Sequence, residues 1–105
     1  MDKDLKLIEL FGLYGNLLTE HQKDLFNLYY ECDLSLGEIA EIKSISRQSV
    51  NDGLKKAKEV LVSTEKKLGF ARKTSLIYAF LTGTEEGAFS AKDTAEKIRN
   101  ILEDN

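Results

Sequence analysis

Residues 35–54, with the sequence SLGEIAEIKSISRQSVNDGL, predict two short helices that are joined by a tight turn. Each helix begins after a serine, because a serine hydroxyl can accept a hydrogen bond from a backbone amide that has no partner within the first turn. Ser35 is followed three residues later by Glu38, which completes the pattern of a capping box. Ser46 begins the second helix. The pattern is typical of a helix-turn-helix unit, and it directs the chain towards a small helical bundle.

The second helix of this unit has two different faces. Its apolar residues recur at alternating steps of four and three positions and therefore share one inward stripe, formed by Val50, Leu54, Ala57 and Leu61. The opposite face holds polar and basic side chains of the kind that reach base edges and phosphates. We predict a nucleic-acid interface that consists of Lys43, Ser46, Arg47, Gln48, Asn51, Lys55 and Lys58.

Two further details favour a DNA-binding motif. Ala40 lies where the two helices are predicted to cross, and Val50 follows ten residues later, as expected for a second helix that packs back on the first. The polar residues also cluster at the N-terminal turns of the second helix, the end that such motifs offer to the major groove. The alternative interpretation is a turn between short helices that contacts no DNA.

Three residues count against a strong DNA binder. Ser44 occupies the turn position where glycine would more easily reach a left-handed backbone conformation. Gly53 lies inside the predicted reading helix, where glycine costs about 1 kcal/mol relative to alanine. Asp52 would repel phosphate unless it caps the helix or pairs internally, for example with Lys55 or Lys56.

The whole chain is predicted to be all-α. It has 105 residues and no proline, and it is rich in Leu, Lys, Glu, Ala and Ile, with few β-branched runs. Its length is that of one domain. We therefore predict a single helical domain over residues 1–105, with a helix-turn-helix core at residues 18–61 and a C-terminal helical extension at residues 70–105.

Periodicity and capping patterns predict the remaining helices. The first spans about residues 3–17, and its inward stripe is Leu7, Leu10, Phe11, Tyr14, Leu17 and Leu18. Thr19 and Gln22 form a second capping box, which begins a helix that runs to about residue 31 and turns Leu25, Leu28 and Tyr29 inward. The reading helix has no breaker before Gly69, so it extends well beyond a minimal DNA-reading unit. A fifth helix is predicted over residues 70–82 and closed by Gly83, and a sixth begins at Ser90 and bears Ala95, Ile98, Ile101 and Leu102.

Charge is segregated along the chain. The net formal charge is −3, but residues 1–42 hold 3 basic and 9 acidic side chains, whereas residues 43–58 hold 5 basic and 1 acidic. The positive window coincides with the second helix of the motif. A solvated helix face is the usual meaning of a charge run. Its coincidence with the motif favours a polyanion partner instead.

Other function classes find little support in the sequence. One cysteine and one histidine provide neither an internal disulfide nor a zinc-ligand spacing, so we predict no metal, no cofactor and a reducing, cytoplasmic location. The N-terminus lacks the pattern of a secretory signal, and the longest apolar run, at residues 76–81, is too short to cross a membrane. No phosphate loop or nucleophile motif is present, and His21 lies on the polar side of a helix, so we predict that the protein is not an enzyme.

Residues 18–61 resemble region four of bacterial sigma factors, and residues 7–68 are similar to the YlxM family of small bacterial proteins. The residues that carry the match are Leu18, Thr19, Leu28, Tyr29, Tyr30, residues 35–40, residues 46–48, Val50, Asp52 and Lys55. The resemblance implies a sigma-like helix-turn-helix and genes that lie beside those of the signal recognition particle GTPase. From that arrangement, a regulatory or accessory role in the signal recognition particle pathway has been inferred for the family.

Two hypotheses follow for the partner of the basic helix. The first is a DNA-binding transcription regulator in which Arg47 and Gln48 read bases, Asn51 contacts a base or a phosphate, and the lysines hold the backbone. The second is an accessory protein that binds signal recognition particle RNA or its GTPase. The apolar run LIYAFL at residues 76–81 suggests in addition a homodimer contact through the C-terminal helices, and an internal core segment is the equally open alternative.

Overall fold

The computed structural model describes residues 4–104, and within that range the chain is all-helical with no β-strand. This confirms the predicted fold class, a helix-turn-helix bundle with an extended second helix and two C-terminal helices. A single 3₁₀ turn, Gly15–Leu17, follows the first helix, and a π-helical turn, Asn27–Glu31, follows the second. The helices are α1 Leu5–Tyr14, α2 Glu20–Phe26, α3 Leu36–Lys43, α4 Arg47–Leu68, α5 Phe70–Glu85 and α6 Ala91–Glu103.

The helices begin where the capping residues predict. Thr19 and Ser35 each accept a hydrogen bond from the backbone amide of the residue three positions on, and Gln22 and Glu38 reach back to the backbone amides of the two caps. The Ser46 hydroxyl accepts from the Ser49 amide at 3.0 Å. Ser90 begins α6 in the same way. The start of the first predicted helix at Lys3 lies outside the described residues.

The contacts divide the chain after Leu68 into two compact units. We call residues 4–68 the N-terminal unit and residues 69–104 the C-terminal unit. The core of the N-terminal unit lies where α2, α3 and α4 meet, and its fully buried centre is Leu25, Ile39 and Val50. That residues 1–105 form a single folding domain stays a prediction.

Gly53 is required for the close approach of α2 and α4. A Cβ atom at this position would lie 2.3 Å from Cδ1 of Leu25, which is fully buried, so the Leu25 side chain or the helices would have to shift. The glycine that weakens the helix in isolation therefore allows its packing in the bundle. A larger residue here would therefore disturb the packing of α2 against α4.

The turn between α3 and α4 uses a left-handed residue, as the motif requires. Ser44 adopts φ 56° and ψ 44°, and the backbone amide of Ile45 donates to the carbonyl of Ala40 at 3.0 Å. Only a short polar side chain or glycine reaches this conformation readily. Ile45 then packs against the core and fixes the entry of α4.

The α1 helix completes the N-terminal unit. Leu7, Leu10 and Tyr14 are buried, as predicted, and the Tyr14 hydroxyl donates a hydrogen bond to Glu65 Oε1 in α4 at 2.8 Å. Leu17, which was predicted to face inward, is 61% exposed. It lies in the 3₁₀ turn, whose tighter winding rotates it away from the stripe of α1.

The C-terminal unit pairs α5 with α6. The prediction that Gly83 ends α5 is wrong, because the helix continues to Glu85 and the Phe89 ring packs over the glycine, where a Cβ atom would lie 2.5 Å from the ring. Of the four apolar residues that the sequence analysis names in α6, Ile98 and Ile101 are half-buried and Ala95 and Leu102 are exposed. The one buried side chain of this helix is Thr94, which shares a hydrogen bond with Thr84.

Candidate nucleic-acid interface

The candidate interface is built on the first three turns of α4. Ser46 caps the helix and Arg47 is its first residue, so the exposed polar side chains begin directly at the turn. Arg47, Gln48, Asn51, Lys55 and Lys58 are all exposed, whereas Val50, Ala57 and Leu61 on the other side are fully buried. The division of α4 into a polar face and a core face is thus confirmed.

Three cations on this face remain available to a ligand. Within residues 4–104, Arg47, Lys55 and Lys58 form no ion pair and no side-chain hydrogen bond with the chain itself. The first turn of a helix also presents unpaired backbone amides, and its dipole favours negative charge nearby. The N-terminal part of α4 therefore combines free guanidinium and ammonium groups with a positive helix end.

Two of the predicted interface residues have internal partners. Lys43 Nζ lies 3.1 Å from Asp24 Oδ2, and this pair links the end of α3 to α2. The Lys43 side chain is 26% exposed and the Asp24 side chain 54%, so a phosphate that approaches Lys43 competes with a carboxylate in solvent. Exposed ion pairs of this kind contribute little stability, so Lys43 can leave Asp24 for a phosphate at a small cost in free energy.

Gln48 donates its side-chain amide to Asp52 Oδ1 at 2.9 Å. Asp52 thus has an internal partner, as the sequence analysis suggested, but within the described part of the chain that partner is Gln48 and not Lys55 or Lys56. One turn of helix separates Gln48 from Asp52, which places the two short side chains side by side. The second N–H of the Gln48 amide and its oxygen remain available for a base contact while the bond to Asp52 is kept.

Ser46 and Asn51 complete the predicted set. The Ser46 oxygen accepts the capping hydrogen bond, and its hydroxyl hydrogen is free to donate to a phosphate oxygen. Asn51 is exposed one turn after Arg47, on the same side of α4 as Lys55. The structure therefore brings six predicted residues onto one end of α4 and leaves Lys43 at the end of α3.

The sequence analysis missed two tyrosines that lie beside this face. Periodicity assigned Tyr29 to the core, against which it does pack, and gave Tyr30 no structural role. Both rings also lie next to Asn51, Lys55 and Lys58, which the sequence analysis did not predict. A π-helical turn inserts one residue into a helix and redirects the side chains around it. No capping or breaker residue in NLYYE signals this change of winding.

Two other features, a metal-ligand cluster and a membrane-spanning helix, are absent from the part of the chain that the structure describes. Residues 4–104 contain no group of three His, Cys, Asp or Glu side chains that could hold a metal ion. Over the same range, none of the helices is long and apolar enough to cross a membrane. His21 is exposed, as predicted.

The fold and the turn geometry define a helix-turn-helix protein. The sequence model of the UPF0122 family, described as "Putative helix-turn-helix protein, YlxM / p13 like", matches residues 1–101, and the chain belongs to this family. The resemblance to YlxM proteins is thereby confirmed.

Relatives in distant bacteria share most of the sequence length. A UPF0122 protein of Mycoplasma capricolum is 36% identical over 102 residues, which cover 97% of this chain and 90% of the relative. A UPF0122 protein of Desulforamulus reducens is 43% identical over 104 residues, covering 92% and 87%. A third, from Halalkalibacterium halodurans, is 39% identical over 103 residues, covering 98% and 94%. The similarity thus includes the C-terminal unit, for which the sequence analysis had only periodicity.

Proposed function

We propose that this protein is a non-enzymatic, DNA-binding regulator that reads DNA with the N-terminal turns of α4. Arg47 and Gln48 contact base edges, Asn51 contacts a base or a phosphate, and Ser46, Lys43, Lys55 and Lys58 contact the backbone. The observation that carries this proposal is that Arg47, Lys55 and Lys58, on the polar face of α4, are exposed and have no internal partners in the described chain. The helix-turn-helix family gives independent support.

The salt dependence of binding tests the electrostatic part of the proposal. If α4 neutralises three to five phosphates, a plot of log affinity against log salt concentration has a slope of about −3 to −4.5 per monomer. Fluorescence anisotropy with a labelled duplex at several salt concentrations measures this slope. A flat response would show that the basic face does not bind a polyanion.

Arg47→Ala tests the assignment of the reading residue. We expect a loss of affinity of about 5-fold to 150-fold for a selected sequence, because a bidentate arginine contributes about 1–3 kcal/mol of discrimination. Arg99→Ala is the matched control, since Arg99 is an exposed arginine of α6 outside the interface. Equal affinities of the two variants would remove Arg47 from the interface. The selected sequence comes from a genomic fragment pool, and the same selection with a combined Arg47, Gln48 and Lys55 alanine variant is the negative control.

A second candidate function is binding to signal recognition particle RNA or its GTPase. The similarity to the YlxM family favours it, and the same basic face or the acidic N-terminal helices would provide the contacts. Pull-down of the purified particle, of its RNA and of its GTPase, each against wild type and the alanine variant, separates this function from promoter binding. A regulator that binds only DNA retains none of the three.

We also propose that the C-terminal unit forms a homodimer contact through the run at residues 76–81. Leu76, Tyr78 and Leu81 of this run are 39%, 65% and 38% exposed, so three large apolar side chains of one short segment reach solvent. Sedimentation equilibrium tests the contact. We expect a dimer for the wild type and a monomer for Leu81→Glu, and a wild-type monomer at high concentration would exclude the contact.

A further inference from the structure

A small pocket lies on the flank of the candidate interface, between the π-helical turn and α4. Its volume is about 270 Å³. Four half-buried side chains line it, Tyr29, Tyr30, Leu36 and Leu54, together with three exposed ones, Asn51, Lys55 and Lys58. We call it the tyrosine pocket. All of its residues belong to the N-terminal unit.

The rings of the tyrosine pocket are the end of an aromatic stack. Phe11 stacks on Phe26 with 4.3 Å between the ring centroids, and Phe26 stacks on Tyr30 at the same distance. Tyr30 meets the edge of Tyr29 at 5.0 Å. Because Tyr29 and Leu54 also pack against the central core, the rings are held in place before any ligand arrives.

The chemistry of the lining selects a flat ring that carries a negative charge beside it. Aromatic side chains bind nucleobases by stacking, and every base offers a face for this contact. Lys55 and Lys58 are one helical turn apart, without internal partners in the described chain, and Asn51 offers both a donor and an acceptor to a base edge. The volume of about 270 Å³ is slightly below the range of small-molecule pockets, which begins at about 300 Å³, so it suits one ring system with its sugar and phosphate outside.

We propose that the tyrosine pocket binds one unpaired nucleobase of a nucleic acid that lies along α4, with the neighbouring phosphates on Lys55 and Lys58. A paired base inside a duplex cannot reach the rings, so the pocket selects a bulge, a flipped base or a strand end. The inference rests on the proposed binding of nucleic acid to α4. It adds the prediction that a nucleic acid with an unpaired base binds more tightly than a fully paired one. A protein that contacts duplex DNA with α4 alone would not have this preference.

The test compares two DNA hairpins of the same sequence, one fully paired and one with a single bulged 2-aminopurine in the stem. We expect the bulged hairpin to bind the full-length wild type about 5-fold to 100-fold more tightly, the range that stacking of one base on an aromatic side chain provides. The fluorescence of the 2-aminopurine should fall on binding as the base stacks. The same pair of hairpins in RNA shows whether the preferred strand is DNA or RNA.

Tyr29→Leu and Tyr30→Leu remove one ring each and keep an apolar side chain of similar size, and Tyr29→Phe and Tyr30→Phe are the matched controls that keep the ring. We expect at least one leucine variant to lower the preference for the bulged hairpin to about 1, and both phenylalanine variants to retain it. Affinity for the paired hairpin should not change. Thermal unfolding shows whether each variant is folded. The quenching of 2-aminopurine by the wild-type protein tests the stacking of the base even if a variant does not fold.

The outcomes separate this inference from the proposed function. Equal affinity for both hairpins with the expected salt slope would overturn the tyrosine pocket and leave DNA binding by α4 intact. A preference for the bulge without quenching, or one that survives both leucine substitutions, would also overturn it. Binding of the bulged hairpin alone would support the pocket and contradict the reading of paired DNA. Binding of neither hairpin would overturn both.

Discussion

In the N-terminal unit, four helices enclose a core in which Leu25, Ile39, Val50 and Leu61 are fully buried. In the C-terminal unit, two helices pair along their length, and among the described residues only Ala71 and Thr94 are buried. The described residues of the C-terminal unit therefore include far fewer buried side chains than those of the N-terminal unit. Because burial of apolar surface is the main favourable term in folding, we expect the two units to differ in stability although their helix content is similar.

The largest effect is expected when the two units are separated and the thermal unfolding of each fragment is measured. We expect a fragment of residues 1–68 to unfold cooperatively on heating, and a fragment of residues 69–105 to be mostly unfolded at all temperatures. Chains below about 40 residues rarely bury enough apolar surface to fold without a disulfide, a metal or a partner. Circular dichroism during thermal unfolding measures both. A cooperative transition in the shorter fragment at low concentration would remove the distinction between the units.

Glycine-to-alanine substitutions compare the rigidity of the two units directly. Gly53→Ala should lower the free energy of unfolding by about 1–2 kcal/mol, because overpacking costs about 1–3 kcal/mol and the gain in helix propensity offsets part of it. Gly83→Ala should cost less, since its neighbour Phe89 is only half-buried and can move.

Gly12→Ala is the control for these two substitutions. It lies inside α1 with no atom within 4 Å of its added Cβ, so alanine should stabilise the protein by up to about 1 kcal/mol. Urea unfolding of the three variants measures the differences. A Gly53→Ala protein as stable as Gly12→Ala would mean that α2 and α4 adjust without cost.

Substitutions at one residue with a left-handed backbone conformation in each unit should change the free energy of unfolding by a smaller amount. Ser44 has φ 56°, and Ser44→Gly should raise the free energy of unfolding by about 0.5–1 kcal/mol because glycine adopts this conformation without strain. Gly87 has φ 82° with no atom near its added Cβ, so Gly87→Ala should show the cost of the conformation alone, about 1 kcal/mol. Urea unfolding gives both values. A loss of stability in Ser44→Gly would mean that the Ser44 side chain itself supports the turn.

The smallest expected effect concerns the capping box of Ser35 and Glu38 and the loss of stability at acidic pH. The backbone amide of Ser35, followed by its side chain, holds the pKa of Glu38 below its ordinary value of 4.5. A carboxylate whose pKa is lowered in the folded state stabilises that state above its ordinary pKa, and the contribution disappears as the pH falls below 4.5. At the start of α6, Asp93 donates its backbone amide to Ser90.

Glu38→Gln keeps a side chain that can reach back to the Ser35 amide but cannot titrate. We expect its stability to fall slightly less than that of wild type between about pH 5 and pH 3. Thermal unfolding in that pH range measures the difference, and Glu96→Gln, at an exposed position inside α6, is the matched control. Identical acid profiles of wild type and Glu38→Gln would contradict the assigned pKa shift.

The parts of the fold that could be predicted depend on local chemistry. Thr19, Ser35, Ser46 and Ser90 begin their helices because a hydroxyl and a nearby amide meet within one turn, whatever the rest of the chain does. The left-handed turn at Ser44 follows from the spacing of the two motif helices. The buried stripe of α4 likewise follows from periodicity alone.

The features that the sequence analysis missed depend on distant contacts. α5 continues through Gly83, against which the Phe89 ring packs, and the Leu25 side chain occupies the space that a Cβ atom at Gly53 would need. The π-helical turn at Asn27–Glu31 adds one residue to a helix and has no signature of its own. In the candidate site, counting basic and acidic residues along the sequence was enough to locate the positive charge. The hydrogen bond from Gln48 to Asp52 depends on side-chain conformations, which the sequence does not specify.

The attachments of α4 have one more consequence. This helix of 22 residues is about 33 Å long and is joined to α2 at the contact of Gly53 with Leu25 and to α1 at the hydrogen bond from Tyr14 to Glu65. Its basic end therefore cannot reorient without breaking contacts at both places. A ligand meets a preorganised surface and does not have to order the backbone that receives it, so little of its binding energy is lost to conformational entropy.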